Sequence, residues 1–195
     1  MPGEVYSTTK PAVPYRAWIA AICLLVLASA LAADLVRRGA GSWSAGDLIQ
    51  PQGWEMVFRP PAQFREVEAD PERFGSVYVF RHTDREQRML ELTFWRTRAD
   101  DMSAGQVARL ILDQLKAKSW ISLFLGPPPT RSAGRMGDRE AVEFLDPPIL
   151  LRALVLESGW SYAVTLRVED GLLDESLYAI FEMTCRSVRF RKPAA

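Results

Sequence analysis

Residues 76–96 read SVYVFRHTDREQRMLELTFWR, and the fold is decided there. Ser76 to His82 and Arg88 to Arg96 each alternate apolar and polar side chains, the period of a half-buried strand. The polar Thr83-Asp84-Arg85-Glu86-Gln87 between them is short, so the two segments are expected to fold back as a hairpin.

Working outward, Trp54 to Arg59 alternates through Trp54, Met56 and Phe58 until Pro60-Pro61 stops it, and Phe64 to Glu68 is its pairing candidate. On the other side, Ser103 with Gln106 three residues on forms a capping box. Val107, Leu110, Ile111 and Leu115 then recur at helical spacing, so this helix is expected to lie across a sheet. Trp120 to Leu125 follows, stopped by Gly126 and Pro127 to Pro129, which resist continuing a helix or a central strand. Burial at the edge of the core is the preferred reading of that run, and exposure to a partner or membrane the other.

Glu140 to Leu145, Ile149 to Leu156 and Ser161 to Val168 read as strands separated by Asp146-Pro147-Pro148 and Ser158-Gly159, short connections that imply an antiparallel meander. Asp174 opens a last helix in which Leu177, Ile180, Phe181, Cys185 and Val188 recur at helical spacing. It is expected to end in Arg189-Phe190-Arg191-Lys192, where cations suit a helix C-terminus. Strands, helix, strands, helix gives an α+β fold, an antiparallel sheet with packed helices.

Upstream of all this lies the uncharged run AWIAAICLLVLASALAA, Ala17 to Ala33, bracketed by Arg16 and Asp34. With Leu35 and Val36 it approaches what a helix needs to cross about 30 Å of hydrocarbon, and residues 16–36 are read as a single transmembrane helix. Tyr15 and Trp18 sit at interfacial depth, and Lys10 and Arg16 precede the run while Arg37 and Arg38 follow it. The short leading segment favours an inside N-terminus, which puts the C-terminal domain on the periplasmic side of a bacterial inner membrane. The alternative is a cleaved signal peptide, with Ala30-Leu31-Ala32 as a small-residue cleavage site. Ile22 before Cys23 is wrong for a lipoprotein. Ala17, Ala21, Ala28 and Ala32 share one helix face, a surface that suits close packing on another membrane helix, unless alanine abundance alone accounts for it.

The expected organisation is therefore an arm over 1–15, disordered or held by a partner, the membrane helix over 16–36, a flexible tether over 37–53, and a globular domain over 54–192. Trp43 is unusual in a Gly/Ser/Ala tether, and either partner contact or docking on its own domain would explain it.

Lys plus Arg and Asp plus Glu are both 24 in 195 residues, so the chain carries no nucleic-acid footprint. Cys23 and Cys185 are the two cysteines, one of them in the hydrophobic run, which rules out a disulfide within the domain. His82 is the single histidine; it excludes multi-histidine metal sites and is a poor general base without a positioned nucleophile. Cys185 reads as a buried thiol on an apolar helix face. No P-loop, GxGxxG or GxSxG occurs. Asp100, Asp101, Asp170, Asp174 and Glu175 offer a hydrolytic pair or a divalent-cation site as one reading, but they precede the helices, where negative charge is stabilising without any function, and that is the preferred one. No catalytic residue, metal ligand or cofactor is expected, and the chain is read as a non-enzyme.

The Gly53-Trp54 strand before Pro60-Pro61, the amphipathic middle helix, the strand Ser158-Gly159-Trp160-Ser161-Tyr162-Ala163-Val164 and a terminal helix closing on Phe181 and Cys185-Arg186-Ser187-Val188-Arg189 together resemble the PsbP-like superfamily over Trp54 to Phe190. That superfamily includes the extrinsic photosystem II subunit, a Ran-binding nuclear import factor and bacterial envelope proteins. The resemblance implies a PsbP-like α/β/α sandwich and a role in binding or stabilising other proteins. The expectation is a non-catalytic, membrane-anchored accessory subunit of a larger complex, photosynthetic or respiratory. Integral membrane subunits and the lipid bilayer would be its partners, through Ala17, Ala21, Ala28, Ala32, Trp43, Trp120, Leu123 and Phe124. An envelope module holding a lipid or small apolar molecule between sheet and helix is the alternative.

Overall fold

The computed structural model describes residues 43–70, 75–117, 130–169 and 172–191. Its centre is an antiparallel sheet of seven strands: β2 (Arg65–Val67), β3 (Ser76–Thr83), β4 (Met89–Arg98), β5 (Thr130–Met136), β6 (Arg139–Asp146), β7 (Ile149–Val155) and β8 (Trp160–Glu169). They lie in the order β2-β3-β4-β8-β7-β6-β5. A separate two-stranded ribbon pairs β1 (Met56–Val57) with β9 (Arg189–Phe190). Two helices are described, α1 (Ala104–Ala117) and α2 (Glu175–Ser187).

The expected β3–β4 hairpin forms, with Val79 opposite Thr93 and Phe80 opposite Leu92; Thr83 joins β3 opposite Met89, so the connection begins at Asp84, one residue later than the polar run that was read as the connection. Asp84 stabilises its turn by accepting from the backbone N–H groups of Glu86 and Arg88, both at 2.9 Å. β4 and β8 are each ten residues long and pair along their whole length, from Met89 opposite Glu169 to Arg98 opposite Trp160. Both are buried on both faces, so alternation cannot leave one side polar. Leu90, Leu92 and Phe94 join Val164, Leu166 and Val168 in the core beneath α2, where Phe58 stacks on Phe94 with ring centroids 3.6 Å apart. Trp95 and Ala163 face the other way, onto Val107, Ile111 and Leu115 of α1. Ser103 and Gln106 form the capping box, with the Ser103 N–H donating to Gln106 Oε1 at 2.8 Å.

The expected α+β fold, a transmembrane helix joined to a PsbP-like α/β/α sandwich, is corrected. The protein is mostly antiparallel sheet, with two helices among the described residues and none of them long and apolar enough to cross a membrane. Seven strands make a sheet about 29 Å wide, whereas one helix with its side chains covers about 10 Å. A single helix therefore cannot form a layer, and the rest of that face is filled by Trp54, Met56, Phe58 and Phe64 from β1 and the segments that flank it. The hydrophobic run over 16–36 lies outside the described residues.

Three local expectations change as well. β1 pairs with β9, Met56 opposite Phe190, whereas Arg65–Val67 pairs with β3. The last helix stops at Ser187, because Val188 turns extended (φ −61°, ψ 139°) and sends Arg189 and Phe190 into the ribbon. The segment from Trp43 to Gly53, read as tether, is fastened to the domain: Ala62 N–H donates to Ser44 O at 2.9 Å, and Ile49 and Phe58 exchange both backbone bonds at 2.9 and 3.1 Å.

Candidate functional site

Strand β7 carries a charge where its neighbours are apolar, in the sequence Ile149-Leu150-Leu151-Arg152-Ala153-Leu154-Val155. Arg152 points to the α2 side with Leu150 and Leu154 and is 5% exposed, so its guanidinium must be fully partnered. It is. Nε donates to Glu143 Oε2 of β6 at 2.6 Å, Nη1 donates to the backbone carbonyl of Arg135 at 3.0 Å, and Nη2 pairs with Glu182 Oε2 of α2 at 2.5 Å. Glu143 in turn accepts from Tyr178 Oη at 2.5 Å and Ser132 Oγ at 3.3 Å. One buried cation thereby ties β5, β6 and β7 to α2.

Burial works against the charged form of Arg152, but the Cys185 sulfur and the Glu182 and Glu143 carboxylates outweigh it and raise its pKa. Burial would raise Glu182, yet hydrogen bonds from Arg152 and Arg186 hold it below the ordinary carboxylate range. The bond to Glu143, followed by burial, raises Tyr178. Burial pushes the Cys185 thiol up to about 12, against the opposing pull of Arg152, so at neutral pH it is an un-ionised thiol and a weak nucleophile.

Beside this cluster the β5–β6 hairpin turns through Gly137-Asp138. Gly137 has φ +61°, and its N–H donates to the Cys185 carbonyl at 2.9 Å. The turn is thus docked on the last turn of α2. β5 itself is the edge of the sheet, with Thr130 to Ala133 and Arg135 exposed. An open groove of about 1360 Å³ runs along it, lined by Arg131, Ala133, Gly134, Arg135, Glu182 and Arg186 among others. The Arg131 guanidinium lies over Gly105 at the start of α1, and Arg186, paired with Glu182, borders the groove from α2. The arrangement is a concavity whose lining carries Arg131, Arg135, Arg152 and Arg186 with Glu140 and Glu182, beside a strand edge that is unpaired among the described residues.

Trp43 packs half-buried between Phe64 (centroids 6.0 Å) and His82 (5.3 Å, edge-on), so it docks on its own domain. His82 Nδ1 lies 3.2 Å from Gln63 O. Ala17, Ala21, Ala28, Ala32, Trp120, Leu123 and Phe124 lie outside the described residues. Of the carboxylates preceding the helices, Asp174 caps α2 by accepting from Leu177 N–H at 3.0 Å and pairs with Arg88 at 2.9 Å, and Asp100 pairs with Arg98 at 3.1 Å. No group of three or more potential metal ligands occurs among the described residues. The Arg152 cluster and the β5 groove were missed from sequence, although an arginine inside an apolar strand is a signal that a buried partner must exist. No family model matches the chain, and no curated protein matches it.

Proposed function

We propose that the protein is a non-catalytic accessory subunit attached to the bacterial inner membrane by its N-terminal hydrophobic run, with the domain on the periplasmic side, where it stabilises or helps assemble a larger membrane complex. The observation that carries this reading is the arginine-lined groove along the β5 edge, held in shape by the Arg152 cluster. Protein partners are recognised by such edges and concavities, and a scaffold cross-braced by buried ion pairs presents them without rearrangement. The charged groups of the cluster are satisfied by one another, and Cys185 is protonated at neutral pH, which supports a binding role over a chemical one. The space between sheet and α2, where a lipid or small apolar molecule would sit, is filled by Phe58, Phe94, Phe181 and Leu150.

The test is a mild-detergent purification of the C-terminally tagged full chain from its native membranes, followed by mass spectrometry. Stoichiometric co-purification of integral membrane subunits is the expected result. A protein that migrates alone under conditions that preserve other membrane complexes would overturn the reading.

A further inference from the structure

We infer that the β5 edge is a docking site for an extended, acidic segment of a protein partner, which adds to the sheet as an eighth strand. Among the described residues β5 pairs with β6 alone, from Thr130 opposite Leu145 to Met136 opposite Arg139. In an antiparallel ladder every second residue turns its N–H and C=O away from the neighbour. The two-residue turn Gly137-Asp138 makes Met136 and Arg139 the last bonded pair of the hairpin, so Arg135, Ala133 and Arg131 belong to the outward set. An incoming strand would therefore bond to Arg131 and Ala133, with Ala133 and Gly134 leaving room at the centre.

The side chains specify the occupant. Arg131 and Arg135 project on the same face, four residues apart, and pair across a ladder with acidic residues at the same spacing. Arg186 lies on α2 and is paired with Glu182, and Glu140 stands opposite Arg135, so Arg131 is the chief charge an incoming acidic residue would meet. A second copy of this chain fits poorly: antiparallel self-pairing centred on Ala133 sets Arg131 of one copy against Arg135 of the other, and like charges directly opposite are destabilising. The edge is closed to itself and open to an acidic strand.

This inference rests on the accessory-subunit reading, and its test keeps the two apart. The probe is a labelled peptide of alternating valine and threonine with glutamates at two positions four residues apart, titrated against the full chain in detergent; a control peptide carries lysines at those positions. The glutamate peptide is expected to bind about tenfold tighter than the lysine peptide, and the preference is expected to shrink with added salt. Arg131→Glu with Arg135→Glu should invert the preference. Ala133→Pro, which removes an outward N–H and no ladder bond to β6, should abolish binding of both peptides while the thermal melt stays cooperative. Equal binding of the two peptides, unchanged binding by Ala133→Pro, or a dimer of the wild-type chain that Ala133→Pro makes monomeric would each overturn the inference. In native membranes, an Ala133→Pro chain that still retains a stoichiometric partner sinks the strand-addition site and leaves the accessory role standing; a wild-type chain that retains none sinks the accessory role itself.

Discussion

Gly134 of β5 lies directly over Arg152 of β7, so close that a methyl group added at 134 would stand 2.7 Å from Arg152 Nε and 3.3 Å from Glu143 Cβ. The glycine is the lid of the buried ion cluster. Gly134→Ala should push Arg152 off Glu143 and destabilise the domain by about 1–3 kcal/mol, as overpacking does, read as a lower denaturant midpoint at unchanged slope. Gly105→Ala is the control: the nearest atom to its added methyl is 3.8 Å away on Arg131, and stability should hold or rise by about 0.4–1 kcal/mol.

Replacing Arg152 by methionine strands the Glu143 carboxylate beneath α2, while Glu182, on α2 itself, keeps only Arg186. Breaking a buried pair from one side costs about 3–5 kcal/mol, so Arg152→Met should fall well below wild type in thermal melts at neutral pH. Because the carboxylates left behind can be protonated, the gap should narrow on acidification. A gap that stays constant or widens toward acid would show that the cluster is not what the arginine stabilises.

The acid limb of stability has a defined origin. Burial favours the neutral forms of Asp84 and Asp174, but hydrogen bonds donated by Arg88 and neighbouring backbone or side-chain groups hold both below the ordinary carboxylate range, and Glu182 is likewise lowered by Arg152 and Arg186. Folded values beneath unfolded ones mean that this stabilisation is complete above the unfolded pKa and is lost as pH falls through the folded values. Arg88→Gln, which removes the partner of both Asp84 and Asp174, should lower stability at neutral pH and flatten the decline below about pH 4. Melting temperatures across that range check both signs.

Cys185 contributes to the alkaline limb, as do Tyr162 and Tyr178, whose pKa values are also raised. Its thiol is raised from 9.0 to about 12 by burial, so the neutral form stabilises the fold fully below 9 and that contribution is lost as pH rises toward 12. At neutral pH the native protein should resist alkylation at this position and become labelled only on unfolding, measured by mass shift at Cys185. Fast labelling of the folded chain would mean that α2 opens.

Gly137 is the least replaceable glycine of the β5–β6 hairpin. Its φ of +61° suits a two-residue turn, and an added methyl would collide with the Val188 carbonyl oxygen, a backbone atom with nowhere to move. Gly137→Ala should cost more than Gly134→Ala, whose obstacle is a side chain, in parallel unfolding curves.

What was legible in the sequence follows how strongly local chemistry declares each element. The β3–β4 hairpin shows because β3 and β4 alternate around a polar turn, and α1 shows because its cap and stripe agree. β5 does not show: Thr130-Arg131-Ser132-Ala133-Gly134-Arg135-Met136 has no apolar alternation, since an exposed edge strand has little to bury. β9 was hidden inside a helical pattern, because Val188 continues the apolar spacing of α2 while its backbone has already turned extended. The pairing of Met56 with Phe190 spans nearly the whole domain, and no local periodicity encodes a partner so distant. The site was half written: Arg152 among leucines announces a buried charge, but which carboxylates answer it depends on register and on α2 lying overhead.

The strand order gives the domain a polarity of its own. Trp43, where the described chain begins, is pinned to Phe64 and His82 beside β2 and β3, while Arg131 and Arg135 line the far edge. Six strand spacings, about 29 Å, separate the two margins. A pull between whatever precedes Trp43 and whatever grips β5 would therefore run crosswise through every ladder of the sheet in series, so the weakest seam sets the load the domain bears. The short β2–β3 ladder, three residue pairs long, is that seam, and Trp43 wedged against His82 is the rivet that closes it.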